Sequence, residues 1–348
     1  MRIALVHDDL VQWGGAERVL LGLSEIYPDA PIFTSVFDRT NITLMQNFGT
    51  KKIVTSFLQK IPGWRSLYKF LLPFYGVAFE QFDFSQYDLV ISHTTRFAKS
   101  IITKPGTKHI CYCHTPPRFL WHFSAPENYG LGDLLMTNLR IYDQVAARRA
   151  DHFLAGSENV KKRIKKVYGV DSKVIYPFVD LERFKGVESF DGGYFVVIAR
   201  PNKYKRVDLA IKAVRSLGLP LKVIGGIGET REIRGIEFLG SLDDVMVANV
   251  LAGCRALIIP GIEDFGLVSL EAQALGKPVV AYKAGGVLET VIPGKTGILF
   301  DTQTEDSLID VLNKLDTTKI NQDDCKENAA KFSKEVFIKH FKAQVASL

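Results

Sequence analysis

The chain has 348 residues, more than a single hydrophobic core usually serves, so two domains are expected. Apolar residues make up 47% and charged residues 24%, a globular composition that excludes a disordered chain. The formal charge of +6 is a mild excess whose distribution says more than its size, and no nucleic-acid partner is expected.

Residues 3–7 (IALVH) read as a short apolar strand. No long apolar leader with a small-residue cleavage site precedes it, and no apolar run approaches the roughly 20 residues of a membrane span. A cytoplasmic protein is expected, and the four cysteines, Cys111, Cys113, Cys254 and Cys325, are expected to be reduced thiols. Trp13-Gly14-Gly15-Ala16-Glu17 follows the first strand and opens a helix over 15–26. Paired glycines let backbone approach a ligand closely, and a helix start points N–H groups outward. This turn is not the G-x-G-x-x-G dinucleotide fingerprint.

Between Asp38 and Glu80 there is no acidic residue, while Lys51, Lys52, Lys60, Arg65 and Lys69 alternate with aromatic and aliphatic side chains. Residues 51–75 therefore suit either an anionic membrane surface or a core helix with a solvated basic side. Strands at 88–92, 108–112 and 152–156 continue the first half, with helical segments between, a pattern that implies a parallel sheet covered on both faces. His114 lies just past the strand 108–112. Cys111, Cys113 and His114 lack a fourth ligand, and alternate strand residues face opposite sides, so no metal site is expected.

A second set of units begins near residue 174. Strands are expected at 194–199, 221–225, 236–239, 255–260 and 278–282, with helices from Val207, over 243–253 and over 266–275. Ligands of such sheets bind beyond the carboxyl ends of the strands. Arg200 and Lys205 stand in the loop after 194–199, where two cations can neutralise a diphosphate, although a solvated basic loop has the same composition. Glu263 and Phe265 lie in the loop after 255–260, and Gly266 opens a helix whose first N–H groups favour an anion. Acidic Glu263 and Glu271 beside that site would repel a bare phosphate. They make sense if the ligand also carries hydroxyl donors, as a ribose and a sugar do. The last segment, 327–346, has helical spacing and should pack.

Taken in chain order, the Gly-Gly-Ala-Glu turn, His114, Val174-Ile175-Tyr176-Pro177-Phe178-Val179-Asp180, Arg200-x4-Lys205 and Glu263-x7-Glu271 resemble family 4 of the retaining glycosyltransferases, over nearly the whole chain. The resemblance implies an α/β chain of the GT-B fold, two Rossmann-like domains with parallel sheets facing a central cleft. An acceptor-side domain would span 1–174 and a donor-binding domain 175–328. A final helix over 329–348 would pack back on the first, as Phe332-Ser333-x-Glu335-x-Phe337 suggests. Roles are implied residue by residue. Arg200 and Lys205, with the backbone at Gly14, Gly15, Leu267 and Val268, would hold the donor diphosphate. Glu271 would bind the ribose, and Phe238-Leu239-Gly240 would meet the base. Glu263, Phe265 and Gly266 would meet the transferred sugar, with His114 and Glu263 the catalytic pair. Tyr176-Pro177-Phe178 departs from the Pro-Asn-Gly of many members and touches the acceptor side.

The implied reaction is a front-side displacement through an oxocarbenium-like state, the departing phosphate helping to deprotonate the acceptor. No cofactor is implied and no metal either, because the chain has no Asp-x-Asp element and two cations stand in its place. The segment from His114 to Trp121 is similar to bacterial mannosyltransferases of surface-polysaccharide synthesis. GDP-mannose is thus the first choice of donor, with a UDP- or dTDP-linked hexose open. The acceptor implied is a glycan or a polyprenyl-diphosphate-linked glycan, met at the inner face of the plasma membrane. A nucleotide-sugar epimerase and an NAD-dependent oxidoreductase share the architecture. The first needs no acceptor site, and the second lacks its fingerprint after strand one.

Overall fold

The computed structural model describes residues 1–67, 70–121, 123, 133–198, 203–226, 231–315 and 317–347. Two compact units divide the chain, Met1–Tyr176 with Ile338–Leu348, and Pro177–Phe337. Short runs of continuous apolar residues, each closed by glycine or polar loops, are what a sheet buried on both faces requires. Each unit is built on one such sheet.

In the first unit the strands are β1 (Ile3–His7), β2 (Ile32–Thr34), β3 (Ile53–Thr55), β4 (Leu89–Thr94), β5 (Lys108–Cys113), β6 (His152–Ala155) and β7 (Ser172–Val174). They are all parallel, in the order β3-β2-β1-β4-β5-β6-β7. The order reverses between β1 and β4, and that switch point is where such a sheet opens a crevice for a ligand. One face packs Val6, Phe33 and Val90 with Phe79 and, further along the same face, Cys111, Cys113 and Phe153 with Val160. All four cysteines are free and buried.

The second unit repeats the plan with β8 (Tyr194–Ile198), β9 (Leu221–Ile224), β10 (Arg231–Ile233), β11 (Ile236–Gly240), β12 (Cys254–Ile259), β13 (Val279–Tyr282) and β14 (Gly297–Phe300). The order is β10-β11-β9-β8-β12-β13-β14, parallel except for β10 against β11. Its switch point lies between β8 and β12. The expected class, two Rossmann-like sheets layered with helices, is therefore the observed one. Strands read from the sequence end within two residues of β1, β4, β5, β6, β8, β9, β11, β12 and β13. The strands β2, β3, β7, β10 and β14 were not among those read.

Local signals explain the helix ends. Ser157 caps the helix Glu158–Tyr168 by accepting from the Val160 N–H at 3.0 Å, and Gly169 closes it at φ 73°. Asp243 caps Asp244–Ala252 in the same way, accepting from Met246. The helix Lys334–Ala346 carries the chain from the second unit into the first. Phe337 packs on Phe178 in the second unit, and Phe341, fully buried, packs on Tyr112 in the first.

The basic, aromatic stretch 51–75 is partly buried and partly exposed. Leu58, Trp64 and Tyr75 enter the core. Phe57, Leu67, Phe70 and Phe74 are exposed, with Phe70 at 78%. Residues 68 and 69 lie outside the described residues. Among the described residues no helix is long and apolar enough to cross a membrane.

Candidate functional site

Parallel sheets deliver their loops to one edge, so the residues just past β8 and β12 are neighbours by topology. Lys205 ends a 3-10 turn (Lys203–Lys205) after β8, and Glu263 sits in the loop after β12. Lys205 Nζ reaches Glu263 Oε1 at 2.5 Å, with side-chain exposures of 17% and 12%. Gly261 lets the two loops touch, since a Cβ there would lie 2.3 Å from the Tyr204 carbonyl oxygen. A further glycine braces the other side. The Gly286 N–H donates to the Glu263 carbonyl at 2.9 Å, and a Cβ on Gly286 would lie 2.2 Å from the Phe265 Cα.

The helix Leu267–Ala274 starts directly behind this loop. Gly266, in the left-handed region at φ 97°, is its N-cap and contributes no side-chain cap. Leu267 and Val268 are in its first turn, whose N–H groups have no acceptor within the helix and carry the positive end of its dipole. The Phe265 ring is buried and edge-on to Phe332, so only its backbone faces the loop. One turn into the helix, Glu271 Oε1 accepts from Arg183 Nη1 at 2.8 Å, and Arg183 Nη2 donates to Asp244 at 3.0 Å. Arg183 thus holds Glu271 in one rotamer, a role that sequence reasoning missed.

Next to the outermost strand of the same sheet, β11 bulges between Phe238 and Gly240 against β9. The Gly225 N–H then bonds the Gly240 carbonyl at 2.6 Å, turning the Phe238-Leu239-Gly240 backbone at the strand end. Arg200 lies outside the described residues. Lys205, Glu263, Gly266, Leu267, Val268 and Glu271 are all brought to the carboxyl ends of β8 and β12 or to the helix that follows β12.

In the first unit, Gly14 caps the helix Gly15–Ile26 without a side-chain bond, again leaving N–H groups at a helix start beyond β1. His114 follows β5, its Nε2 2.5 Å from His93 Nε2. Cys111 and Cys113 point into the apolar cluster on the far face, away from His114, and burial pushes the Cys111 thiol up to about 12. Among the described residues no group of His, Cys, Asp or Glu has the arrangement of a metal site.

The first unit also holds a carboxylate that sequence reasoning missed. Asp8, at the end of β1, accepts backbone N–H bonds from Thr95 (2.6 Å), Arg96 (2.9 Å), Phe97 (2.8 Å) and Ala98 (2.7 Å). The Thr94 and Thr95 hydroxyls add to the set at 3.1 Å. Burial pushes this carboxyl up, but the Arg96 and His7 charges and the N–H bonds outweigh it and hold it below the usual carboxylate range. Asp9 pairs with the Arg96 guanidinium beside it. Asp8 ties the loop after β4 to β1 across the switch point.

The chain is similar to known proteins over most of its length. Residues 13–183 match the pattern described as Glycosyltransferase Family 4, and residues 179–332 match Glycosyl transferases group 1. An uncharacterized glycosyltransferase of Methanocaldococcus jannaschii is 28% identical over 210 residues, 56% of this chain and 59% of that protein. The alpha-1,3/1,6-mannosyltransferase of Kluyveromyces lactis is 24% identical over 84% of this chain and 71% of its own length. The chain spans less than two thirds of the first curated relatives it matches, 59% of one and 46% of the next. Among solved structures, Anabaena HepE in complex with UDP and glucose superposes over 100% of both chains with a TM-score of 0.74 at 20% identity.

Proposed function

Because the chain belongs to the family 4, group 1 glycosyltransferases, we propose that it moves a hexose from a nucleotide-sugar to a hydroxyl of a glycan or lipid-linked glycan. The observation that carries this reading is the 2.5 Å pair of Lys205 and Glu263 at the β8–β12 switch point. A cation, an acid and the N–H groups of a helix start stand together there, which suits a ligand bearing both phosphates and hydroxyls.

The donor diphosphate takes Lys205, with Arg200 from the same loop and the N–H groups of Leu267 and Val268. Drawing Lys205 onto phosphate releases Glu263 to accept bonds from sugar hydroxyls. Glu271, clamped by Arg183, offers its carboxylate to the ribose hydroxyls. The backbone at Phe238, Leu239 and Gly240 meets the base. In the first unit, the helix start at Gly14 and Gly15 offers N–H groups suited to a phosphate, and His114 a ring suited to a sugar hydroxyl. In the reaction the bond from the anomeric carbon to the diphosphate oxygen breaks while the acceptor oxygen bonds on the same face. Configuration is retained, and the acceptor proton passes to the departing phosphate. Lys205 and Arg200 neutralise the charge that develops there, so neither metal nor cofactor is assigned a step.

GDP-mannose remains the first choice of donor, supported by the mannosyltransferase relative. A UDP-hexose is the second reading, favoured by the UDP and glucose that HepE holds. Calorimetric titration with GDP, UDP and dTDP decides between them. Lys205→Ala and Glu271→Ala should each weaken the preferred nucleotide-sugar by about 10- to 100-fold, the worth of a charged hydrogen bond or two. Unchanged affinity in both variants, or no binding of any of the three nucleotides, would refute the donor site. The exposed Phe57, Leu67, Phe70 and Phe74 beside Lys60 and Arg65 support docking on the inner face of an anionic membrane. Sedimentation with phosphatidylglycerol vesicles checks this, the double variant Phe70→Ser/Phe74→Ser being expected to stay in the supernatant.

A further inference from the structure

Three adjacent parallel strands end in histidines or lead directly into them. His7 closes β1, His93 is its register partner in β4, and His114 follows β5. Their rings form a line. His7 Nδ1 and His93 Nδ1 are 2.9 Å apart, and His93 Nε2 and His114 Nε2 are 2.5 Å apart. At the inner end, His7 Nε2 lies 3.7 Å from Glu17 Oε1. His7, His93 and Glu17 are 2%, 0% and 3% exposed. Tyr112, register partner of His93, stacks on its ring at 5.6 Å and 12° and anchors its own hydroxyl on the Ile175 carbonyl at 2.8 Å. The His93 plane is therefore fixed from the side.

Two facing ring nitrogens share a single proton, so the line has a direction. Both neighbours of His7 are acceptors. Glu17 faces Nε2, and His93 offers its Nδ1 and, at 3.3 Å, its carbonyl oxygen to the His7 Nδ1–H. His93 then accepts at Nδ1, so its one proton sits on Nε2 and is donated to His114 Nε2. That nitrogen of His114 is occupied as an acceptor, and the ring's own proton must sit on Nδ1.

We propose that Glu17, His7 and His93 form a buried relay that fixes His114 as the neutral Nδ1–H tautomer. Charge in the surroundings agrees. Burial opposes a charge on His7, but Glu17, with Asp8 and Asp9 adjacent, outweighs it and raises its pKa. Burial and the neighbouring His114 and His7 rings hold His93 well below the ordinary histidine range. The positive charge is therefore kept at the inner end, and His114 offers a single N–H as a donor to an oxygen. Glu17, His7 and His93 are positioning residues, because they act on His114 and not on the reactants. Their value for transfer rests on the reading of His114 as a sugar contact.

Long-range nitrogen–proton correlation spectra of the protein with labelled histidine test the relay directly, near neutral pH and without substrate. Wild type should show His114 with a protonated Nδ1 and a bare Nε2, and His7 with both nitrogens protonated. His93→Phe keeps the stack on Tyr112 but removes the donor, and His114 should become a mixture of tautomers. His93→Gln, whose amide can donate where Nε2 did, should restore the Nδ1–H form. Should His93→Phe fail to fold, Glu17→Gln serves instead, with the loss of one His7 ring proton as the expected result. A proton on His114 Nε2 in wild type, or an unchanged His114 tautomer in His93→Phe, overturns the relay. Turnover is read separately: about a 10²-fold loss in His93→Phe with rescue in His93→Gln is expected, the scale of a misplaced reacting group. A tautomer shift with full turnover would uphold the relay and remove His114 from the transfer reaction.

Discussion

Replacing Asp8 with Asn tests how strongly the switch point of the first sheet is held. The side chain is 1% exposed and takes four backbone N–H groups, two on each carboxylate oxygen. Asparagine keeps the shape but offers one oxygen, so two of those four donors lose their acceptor and meet an NH2 group. A buried donor left unpaired costs about 1–3 kcal/mol, which gives roughly 2–6 kcal/mol for Asp8→Asn. All three tryptophans, Trp13, Trp64 and Trp121, lie in the first unit, so their fluorescence in urea reports that unit alone. The pH dependence has a definite sign. Because the folded carboxyl titrates below its ordinary 3.8, its contribution is complete above that value and is lost as pH falls through the folded value. The gap between wild type and Asp8→Asn should therefore close in acid. A loss under about 1 kcal/mol near neutral pH, the range of ordinary surface changes, would refute the reasoning.

Two further outcomes are expected. Lys99 and Asp143 form a buried pair at 2.5 Å, with Trp121 Nε1 and the Tyr168 hydroxyl donating to the other carboxylate oxygen at 2.8 Å each. Lys99→Met should cost about 3–5 kcal/mol by stranding Asp143, and Lys99→Met/Asp143→Leu should recover part of it in the same unfolding assay. Burial pushes the Cys111, Cys254 and Cys325 thiols up to about 12 and holds Cys113 well above the ordinary thiol range. Dithiobis(nitrobenzoate) at about pH 8 should find no reactive thiol in the native protein and all four in denaturant.

The parts of the fold legible in the sequence were those with a long apolar run. β1, β8 and β12 announce themselves by four or five consecutive apolar residues, and knowing that loops after such strands converge was enough to place Lys205 and Glu263 on one edge. β2, β3 and β7 have three residues each, too few to show a period. The histidine line was hidden for a different reason. His7 and His93 are 86 residues apart, and only the strand order, which puts β4 beside β1, makes them partners. Arg183 likewise lies 88 residues from Glu271, in a short turn without pattern. Asp8 carried a signal that was passed over, an acidic pair immediately after a buried strand where the chain has no need of a solvated turn. Close approaches such as Gly261 on Tyr204 depend on distances between loops, which spacing along the chain does not encode.

The helix that returns Ile338–Leu348 to the first unit has a consequence for biosynthesis. On the ribosome, Tyr176 emerges long before Phe341, whose ring fills a fully buried slot against Tyr112. The intervening stretch of about 160 residues takes roughly 10–30 s at ordinary elongation speeds. During that interval the nascent first unit carries an open apolar slot beside the histidine line, a natural place for a chaperone to hold it.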